Sequence, residues 1–284
     1  MGQSALEVLT HRGSCRQFLD RPIPEPLLQQ ILTAGIQAPS GGNLQPFAII
    51  RVERPEAKER LAELCANQRF IASAPVNLLF CMDWRRLERW AAMSNAPFAA
   101  QRSFRHFWIS FQDTVIAAHS ICVAADAMGL GSVYVGTVID CLPQLKTMFQ
   151  LPPRVFPVVL LCLGYRAEPV APRPKLDLET IVSHETYREL DDAALEAAYA
   201  RKYADVRVEI GEQHLTRIEE VCRKVHGADF AARCRKAIED AGWINAAQRY
   251  FGLHYRADRM SENNLPYRRI MQDFGFDWLE GPET

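Results

Sequence analysis

The stretch from Gln112 to Met128 places Val115, Ile116, Ala118, Ile121, Cys122, Val123 and Ala125 around most of a helical circumference. A helix apolar on nearly every side does not lie on a wet surface; it is buried at the centre of a domain or in a subunit interface. Gly129-Leu130-Gly131 supplies its stop, because glycine takes the conformation that closes a helix end at no steric cost. Whatever fold the chain adopts must be assembled round this helix.

The flanking sequence reads as alternating helices and short apolar strands up to about residue 187. Pro24 to Gln37 carries Leu27, Leu28, Ile31, Leu32 and Ile36 on one helical face, after a helix-start signal. Phe47–Val52 reads as a buried strand, Glu56–Cys65 as a polar-faced helix, Val76–Met82 as a strand, Ser132–Val135 as a short strand and Val155–Gly164 as the last strong one. This spacing predicts a mixed sheet flanked by helices. After Tyr187 the composition changes: Asp191–Lys202 and Gly211–Ala241 read as polar amphipathic helices, the second closed by Gly242-Trp243. Tyr250, Phe251, His254, Tyr255, Tyr267, Phe274, Phe276 and Trp278 make the end too aromatic for a disordered tail. Those rings must be buried against the main domain or a partner.

Composition narrows the function classes. With 284 residues, 48% hydrophobic and 24% charged, the chain matches an ordinary globular protein, and a formal net charge of -1 argues against one built to coat nucleic acid. The start, Met1-Gly2-Gln3-Ser4-Ala5-Leu6-Glu7, has neither a signal-peptide pattern nor a myristoylation context. The apolar stretch Val155–Leu163 contains Pro157 and is too short to cross a bilayer. Eight cysteines without close pairs read as reduced thiols, and a cytoplasmic protein is expected.

Three segments carry chemistry. Arg12-Gly13-Ser14-Cys15-Arg16 and, far downstream, Arg173-Pro174-Lys175 are basic clusters; between them lies the turn Ala38-Pro39-Ser40-Gly41-Gly42-Asn43-Leu44-Gln45-Pro46-Phe47. Guanidinium groups, hydroxyls and exposed backbone N–H groups are what a phosphate and a planar polar ring require. The plainer reading of the first cluster is a helix C-terminus whose free carbonyls attract cations. Cys222 and His226 lie four apart on a predicted helix, but no tight pair completes a metal set, so a structural helix face and no metal are expected. His119 reads as an interface or core residue. Gly129-Leu130-Gly131 lacks the third glycine of a dinucleotide fingerprint. The run Arg85-Arg86-Leu87-Glu88-Arg89 reads as a solvated helix face, with Arg102 and Arg105 near enough in sequence to help meet an anionic nicotinamide cofactor.

Taken together, these segments resemble the FMN-dependent nitroreductase family, in particular its oxygen-insensitive NAD(P)H nitroreductase and flavin reductase branch. Arg12-Gly13-Ser14-Cys15-Arg16-Gln17-Phe18 is similar to the family's opening, Ala38-Pro39-Ser40 with Asn43 and Gln45-Pro46-Phe47 to its turn, and Met128 to Gly136 to its glycine stop and flavin-edge strand. Leu163-Gly164-Tyr165, Arg173-Pro174-Lys175 and Ser183-His184-Glu185-Thr186-Tyr187 resemble the end of that branch. The resemblance spans roughly residues 5 to 190 and implies an α+β nitroreductase-like fold, dimeric, with a central mixed sheet flanked by helices. It divides the chain into an FMN-binding domain, 1–190, and a helical, aromatic-rich C-terminal extension, 191–284, that wraps the dimer or covers the active site.

The resemblance also implies roles. Arg12, Ser14, Arg173 and Lys175 would hold the FMN phosphate, with Gly13 standing where the family more often has Arg or His. Arg16 would lie at the N1/C2 edge of the ring, Asn67 or Gln68 at its pyrimidine edge, and Val135, Gly136 and Thr137 beside N5. Pro39, Ser40, Gly41 and Asn43 would reach the flavin of the other subunit. NADH or NADPH would be co-substrate, an electron-poor small molecule such as a nitroaromatic or quinone the acceptor, and no side chain would act as nucleophile or acid–base catalyst. A dehalogenase or dehydrogenase on the same fold, or a non-catalytic FMN-binding redox sensor, are the alternatives; no nucleic-acid or membrane partner is implied.

Overall fold

The four apolar runs pair into one sheet: β1 (Phe47–Val52), β2 (Val76–Asp83), β3 (Gly131–Val135) and β4 (Val155–Gly164), in the order β1-β2-β4-β3. A computed structural model of the protein describes residues 4–262 and 264–278. Residues 1–3, read above for leader and lipidation signals, and residues 279–284 of the C-terminal extension lie outside them. All three strand pairings are antiparallel, and the parallel component is the isolated bridge Ser14–Ser132. The β2–β4 register slips between Phe80 and Cys81, where Val159 and Pro157 are successive partners. A proline has no N–H for the ladder, so a bulge beside it spares a bond that could not form.

The helices of the first unit are α1 (Ala5–His11), α2 (Glu25–Ile36), α3 (Pro55–Leu64), α4 (Phe70–Ser73), α5 (Trp84–Met93), α6 (Phe104–Ala127) and α7 (Leu142–Met148). The apolar helix is α6. It starts eight positions before the expected Gln112, because Ser103 accepts from the His106 N–H and caps it there. Its buried side, with Ala118, Ile121, Cys122 and Ala125, joins Leu28 and Ile31 of α2 and Leu78, Phe80, Leu161 and Leu163 of the sheet in one core. By length and composition α6 could cross a membrane; packed on the sheet, it is the core helix of this unit. The other side leaves Phe104, Trp108, Val115 and Ile116 exposed. His119 is exposed too, which excludes the core for it within this chain.

The chain forms two compact units, Met1–Pro172 with Arg268–Thr284, and Arg173–Tyr267. In the second unit lie α8 (Leu178–Ile181), α9 (Asp192–Lys202), α10 (Glu212–His226), α11 (Ala228–Ala241) and α12 (Ala246–Gln248), the last running into a π-helix, Arg249–His254. The single helix expected from Gly211 to Ala241 is two, because Gly227 at φ 90° breaks it. Leu215, Ile218, Ile238 and Ile244 form this unit's core. Cys222 faces Cys234 across the helix pair, its thiol pushed up to about 11 by burial and by that neighbour. A last helix, α13 (Asn264–Asp273), leads into the end of the chain.

There the aromatic tail divides. Phe274 and Phe276 are buried, and with Trp278 they pack on Trp84, Phe107 and Phe156 of the first unit at centroid distances of 4.6–5.6 Å (Phe107–Trp278, Phe156–Phe274, Trp84–Phe276). Tail rings here enlarge a core, the commoner use of aromatic burial. Phe251 and Tyr255, in the second unit, stay exposed.

The end of β4 is closely packed. A Cβ on Gly164 would stand 2.5 Å from Pro75 Cδ and 2.8 Å from Phe18 Cδ1, and neither ring can retreat cheaply. Gly164→Ala should therefore destabilise the protein by about 1–3 kcal/mol, read as a lower midpoint in urea unfolding; an unchanged midpoint would show that this joint has slack.

Candidate functional site

Asp126, at the C-terminal end of α6, is a buried acid in an apolar helix, and burying a carboxylate is costly unless it is paired. It is paired twice. Arg12 Nε donates to Oδ2 at 3.0 Å and Arg166 Nη2 to Oδ1 at 2.5 Å, while the Asp126 side chain is only 2% exposed. Ser132 Oγ also donates to Oδ2 at 3.0 Å and accepts from Arg12 Nη2 at 3.2 Å. Two guanidinium groups against one carboxylate leave one positive charge uncompensated, so the assembly favours an anion beside it.

This network holds the opening cluster in place. Cys15 N donates to Ser132 O at 2.9 Å, which lays Ser14 alongside β3. Ser14 and Arg16 are exposed, and the Arg16 guanidinium stands 5.8 Å from the centre of the Phe70 ring. Arg12 caps the C-terminus of α1, its N–H donating to the Val8 carbonyl, as the plainer reading has it, and from Ser14 the segment continues as an extended companion of β3. Gly13 has its own reason: a Cβ there would lie 2.5 Å from Val170 Cγ1 and 2.8 Å from the Ala171 carbonyl oxygen. The close approach of chain 170–171 excludes the larger residue that the family more often carries.

The turn is anchored elsewhere on α6. The Gly41 N–H is 3.1 Å from both oxygens of Asp113, a second buried acid. Gln45 N donates to Ser40 Oγ at 3.1 Å, and Arg86 Nη2 donates to the Gln45 and Phe47 carbonyls at 2.9 and 2.7 Å. Arg86 thus ties the turn to its strand rather than belonging to a purely solvated face. Pro39, Gly41, Gly42 and Asn43 remain exposed. Burial pushes the Asp113 carboxyl above its ordinary value, and the Gly41 N–H only partly opposes this. Asp113 and Asp126 are thirteen positions apart, about 20 Å along a helix axis.

At the end of β3 the chain leaves the sheet. Val135 is buried, whereas Gly136 is exposed and a Cβ there would meet nothing within 4 Å. Gln68 Nε2 donates to Thr137 Oγ1 at 2.8 Å and to Cys65 O at 2.9 Å, so its amide is held at this edge. Asn67 is exposed, with a left-handed φ of 54°. Of the two candidates, Gln68 is the one fixed beside Gly136–Thr137. Beneath it the Cys65 thiol is held below its ordinary range by hydrogen bonding with Cys141, against the opposing effect of burial. Arg173 and Lys175 are exposed in an irregular segment before Asp177, which caps α8. They belong to the second unit.

An open, uncrowded backbone edge, a fixed amide beside it and a surplus of guanidinium charge suit a planar polar ring with an anionic tail. The chain's similarities agree with this chemistry. A model of the nitroreductase family matches residues 9–165. The chain belongs to the nitroreductase family. It is 32% identical over 188 residues to a Bacillus subtilis FMN reductase [NAD(P)H], covering 66% of this chain and 76% of that one. Among solved structures, the hypothetical oxidoreductase YcnD from Bacillus subtilis superposes with a TM-score of 0.73 at 26% identity, over 96% of this chain and 97% of that one. The NADPH:FMN oxidoreductase from Vibrio harveyi, complexed with NAD+, gives 0.65 at 29% identity, over 70% and 85%.

The nitroreductase match takes in the opening cluster, the turn, α6 and both Gly136 and Gln68; Arg173 and Lys175 lie beyond it. Asp113, Asp126 and Arg166 were not among the sequence candidates. The signal was present: two carboxylates in an otherwise apolar helix each demand a buried partner.

Two outcomes follow for these acids. Asp126→Asn keeps the shape but leaves Arg12 and Arg166 without their counter-charge, and should cost about 3 kcal/mol in urea unfolding; a loss under about 0.5 kcal/mol would show that the pairs carry little. For Asp113 the folded-state value is raised, so its carboxyl contributes stability below the ordinary 3.8 and loses it as pH rises through the raised value. Wild type should therefore lose stability relative to Asp113→Asn as pH climbs from 3.8 through that window. The opposite slope would mean that the Gly41 N–H outweighs burial.

Proposed function

We propose that the protein is a homodimeric, FMN-dependent oxidoreductase that carries electrons from NADH or NADPH to an electron-poor small molecule such as a nitroaromatic or a quinone. The observation that carries this reading is the exposed Gly136–Thr137 edge with the Gln68 amide pinned beside it, in a chain whose relatives include an FMN reductase [NAD(P)H] and an NADPH-flavin oxidoreductase. Arg12, Ser14, Arg173 and Lys175 would hold the phosphate, Arg12 with its orientation already set by Asp126 and Ser132. When bound, FMN supplies reversible two-electron hydride chemistry at N5.

The chain's own residues then position and tune. Arg16 would place a cation at the N1/C2 edge of the ring, where it would favour hydride acceptance. Gln68 would orient the pyrimidine edge, and the missing side chain at Gly136 would leave room for a nicotinamide or an acceptor to stack in turn. The two substrates use the same space, so the kinetics are ping-pong. Because the turn anchored at Asp113 and the cluster anchored at Asp126 stand about 20 Å apart along α6, one chain's Ser40–Asn43 turn serves its partner's flavin. The exposed stripe of Phe104, Trp108, Val115 and Ile116 supplies an apolar face for that partner. In this reading residues 1–190 form the FMN-binding domain and 191–284 an arm or cover.

The test is anaerobic. The FMN-loaded protein should bleach with NADH or NADPH and recover its colour on adding a nitroaromatic or a quinone; protein that keeps its colour with both nucleotides would overturn the reading. Lys175→Ala, which removes one charge-assisted bond, should raise the FMN dissociation constant about tenfold or more. Retention equal to wild type would remove Lys175 from the phosphate site.

A further inference from the structure

The second unit contains a cavity of about 1040 Å³ that the flavin chemistry does not use. Its walls are rings from two directions. Tyr199 of α9 and Tyr203, the C-cap of that helix, stack at 6.2 Å and 11°, and Tyr203 meets Tyr250, on the π-helix, at 5.9 Å. Trp243 closes another side. The π-helix is a rare geometry that concentrates at functional sites, and here it delivers Tyr250 and the exposed Phe251 to the cavity.

Two cations share these walls. The Lys202 ammonium lies 4.9 Å from the centre of the Tyr203 ring, and the Arg207 guanidinium 5.1 Å from that of Trp243. Among the described residues neither forms an ion pair with a carboxylate, unlike Arg201 next to Lys202, which pairs with Asp177 at 2.7 Å. One acid, Glu196, also lines the cavity, so the lining carries one net positive charge. Ring faces select a flat apolar body, and cations held over rings are already ordered for an anion. The volume lies at the upper end of small-ligand pockets, about 300–1,000 Å³.

We propose that this cavity is a binding site for a planar aromatic anion, a carboxylate or sulfonate on a fused or substituted ring. Rings of the cavity sandwich the ligand's flat body, while Lys202 and Arg207 meet its acid group. The site is separate in sequence from every residue assigned above to the flavin. Its existence is independent of the redox reading.

The experiment is calorimetric titration of the FMN-saturated protein with 2-naphthoate, alongside 2-naphthylmethanol as the uncharged control. The expected result is one naphthoate bound per chain, with the alcohol weaker by about tenfold or more, a difference of about 1.4 kcal/mol. Lys202→Met and Arg207→Met should each weaken naphthoate severalfold while leaving the bound FMN in place. Absence of naphthoate binding to wild type would overturn the proposal. So would equal affinity for the alcohol, which needs no variant to fold, or unchanged affinity in both variants. If the cavity is instead filled by a second copy of the chain, naphthoate will not bind and Trp243→Ala will weaken self-association.

Discussion

The pairing of Asp126 with Arg12 and Arg166 is the interaction on which the rest of the first unit depends. It joins residues 114 and 40 positions apart in the chain, and through Ser132 it fixes the opening segment beside β3. Without it, a carboxylate would be stranded at the end of the core helix and two guanidinium groups would lose their anchor. The same pairing leaves a surplus positive charge at the edge of the unit. A structural requirement, that a buried charge be matched, thereby prepares a place for an anion.

Asp113 makes a comparable demand with a different answer. It is met by a backbone N–H rather than by a cation, and its burial raises its pKa. The group it grips is the glycine turn, which is held with its exposed backbone outward. One helix thus anchors both the turn and the basic cluster through two acids, about 20 Å apart. In the proposed dimer, that separation is the reason the turn and the basic cluster would serve different flavins. The fold is shared with YcnD from Bacillus subtilis over nearly the full chain, and the chain's relatives include an FMN reductase [NAD(P)H] and an NADPH-flavin oxidoreductase.

Much of this was legible in the sequence because it rests on local rules. Strand limits followed from apolar runs, the core helix from its all-round apolar composition, and its stop from Gly129, whose φ is 83°. The family resemblance rested on short motifs whose residues do the same local work wherever they occur. What was hidden depends on contacts between distant parts of the chain. Nothing near Asp126 announces Arg12, and nothing near Gly13 announces the Ala171 carbonyl that keeps a side chain out. The anchoring of Gln68 by the Thr137 hydroxyl was hidden for the same reason, and the aromatic tail could not be divided into core and cavity rings without its partners. The early start of α6 was masked because Phe104 to Phe111 mixes aromatic and polar residues with no clear period.

The central claim is that the Asp126-organised cluster and the Gly136–Thr137 edge form one FMN site completed by the turn of a second chain. A crystal structure of the FMN-loaded protein tests it most directly. The account predicts the flavin ring against Gly136, with Gln68 at its pyrimidine edge, the phosphate on Arg12, Ser14, Arg173 and Lys175, and the partner's Ser40 to Asn43 turn closing the site. An FMN held wholly within one chain, or a phosphate remote from Arg12 and Ser14, would contradict it.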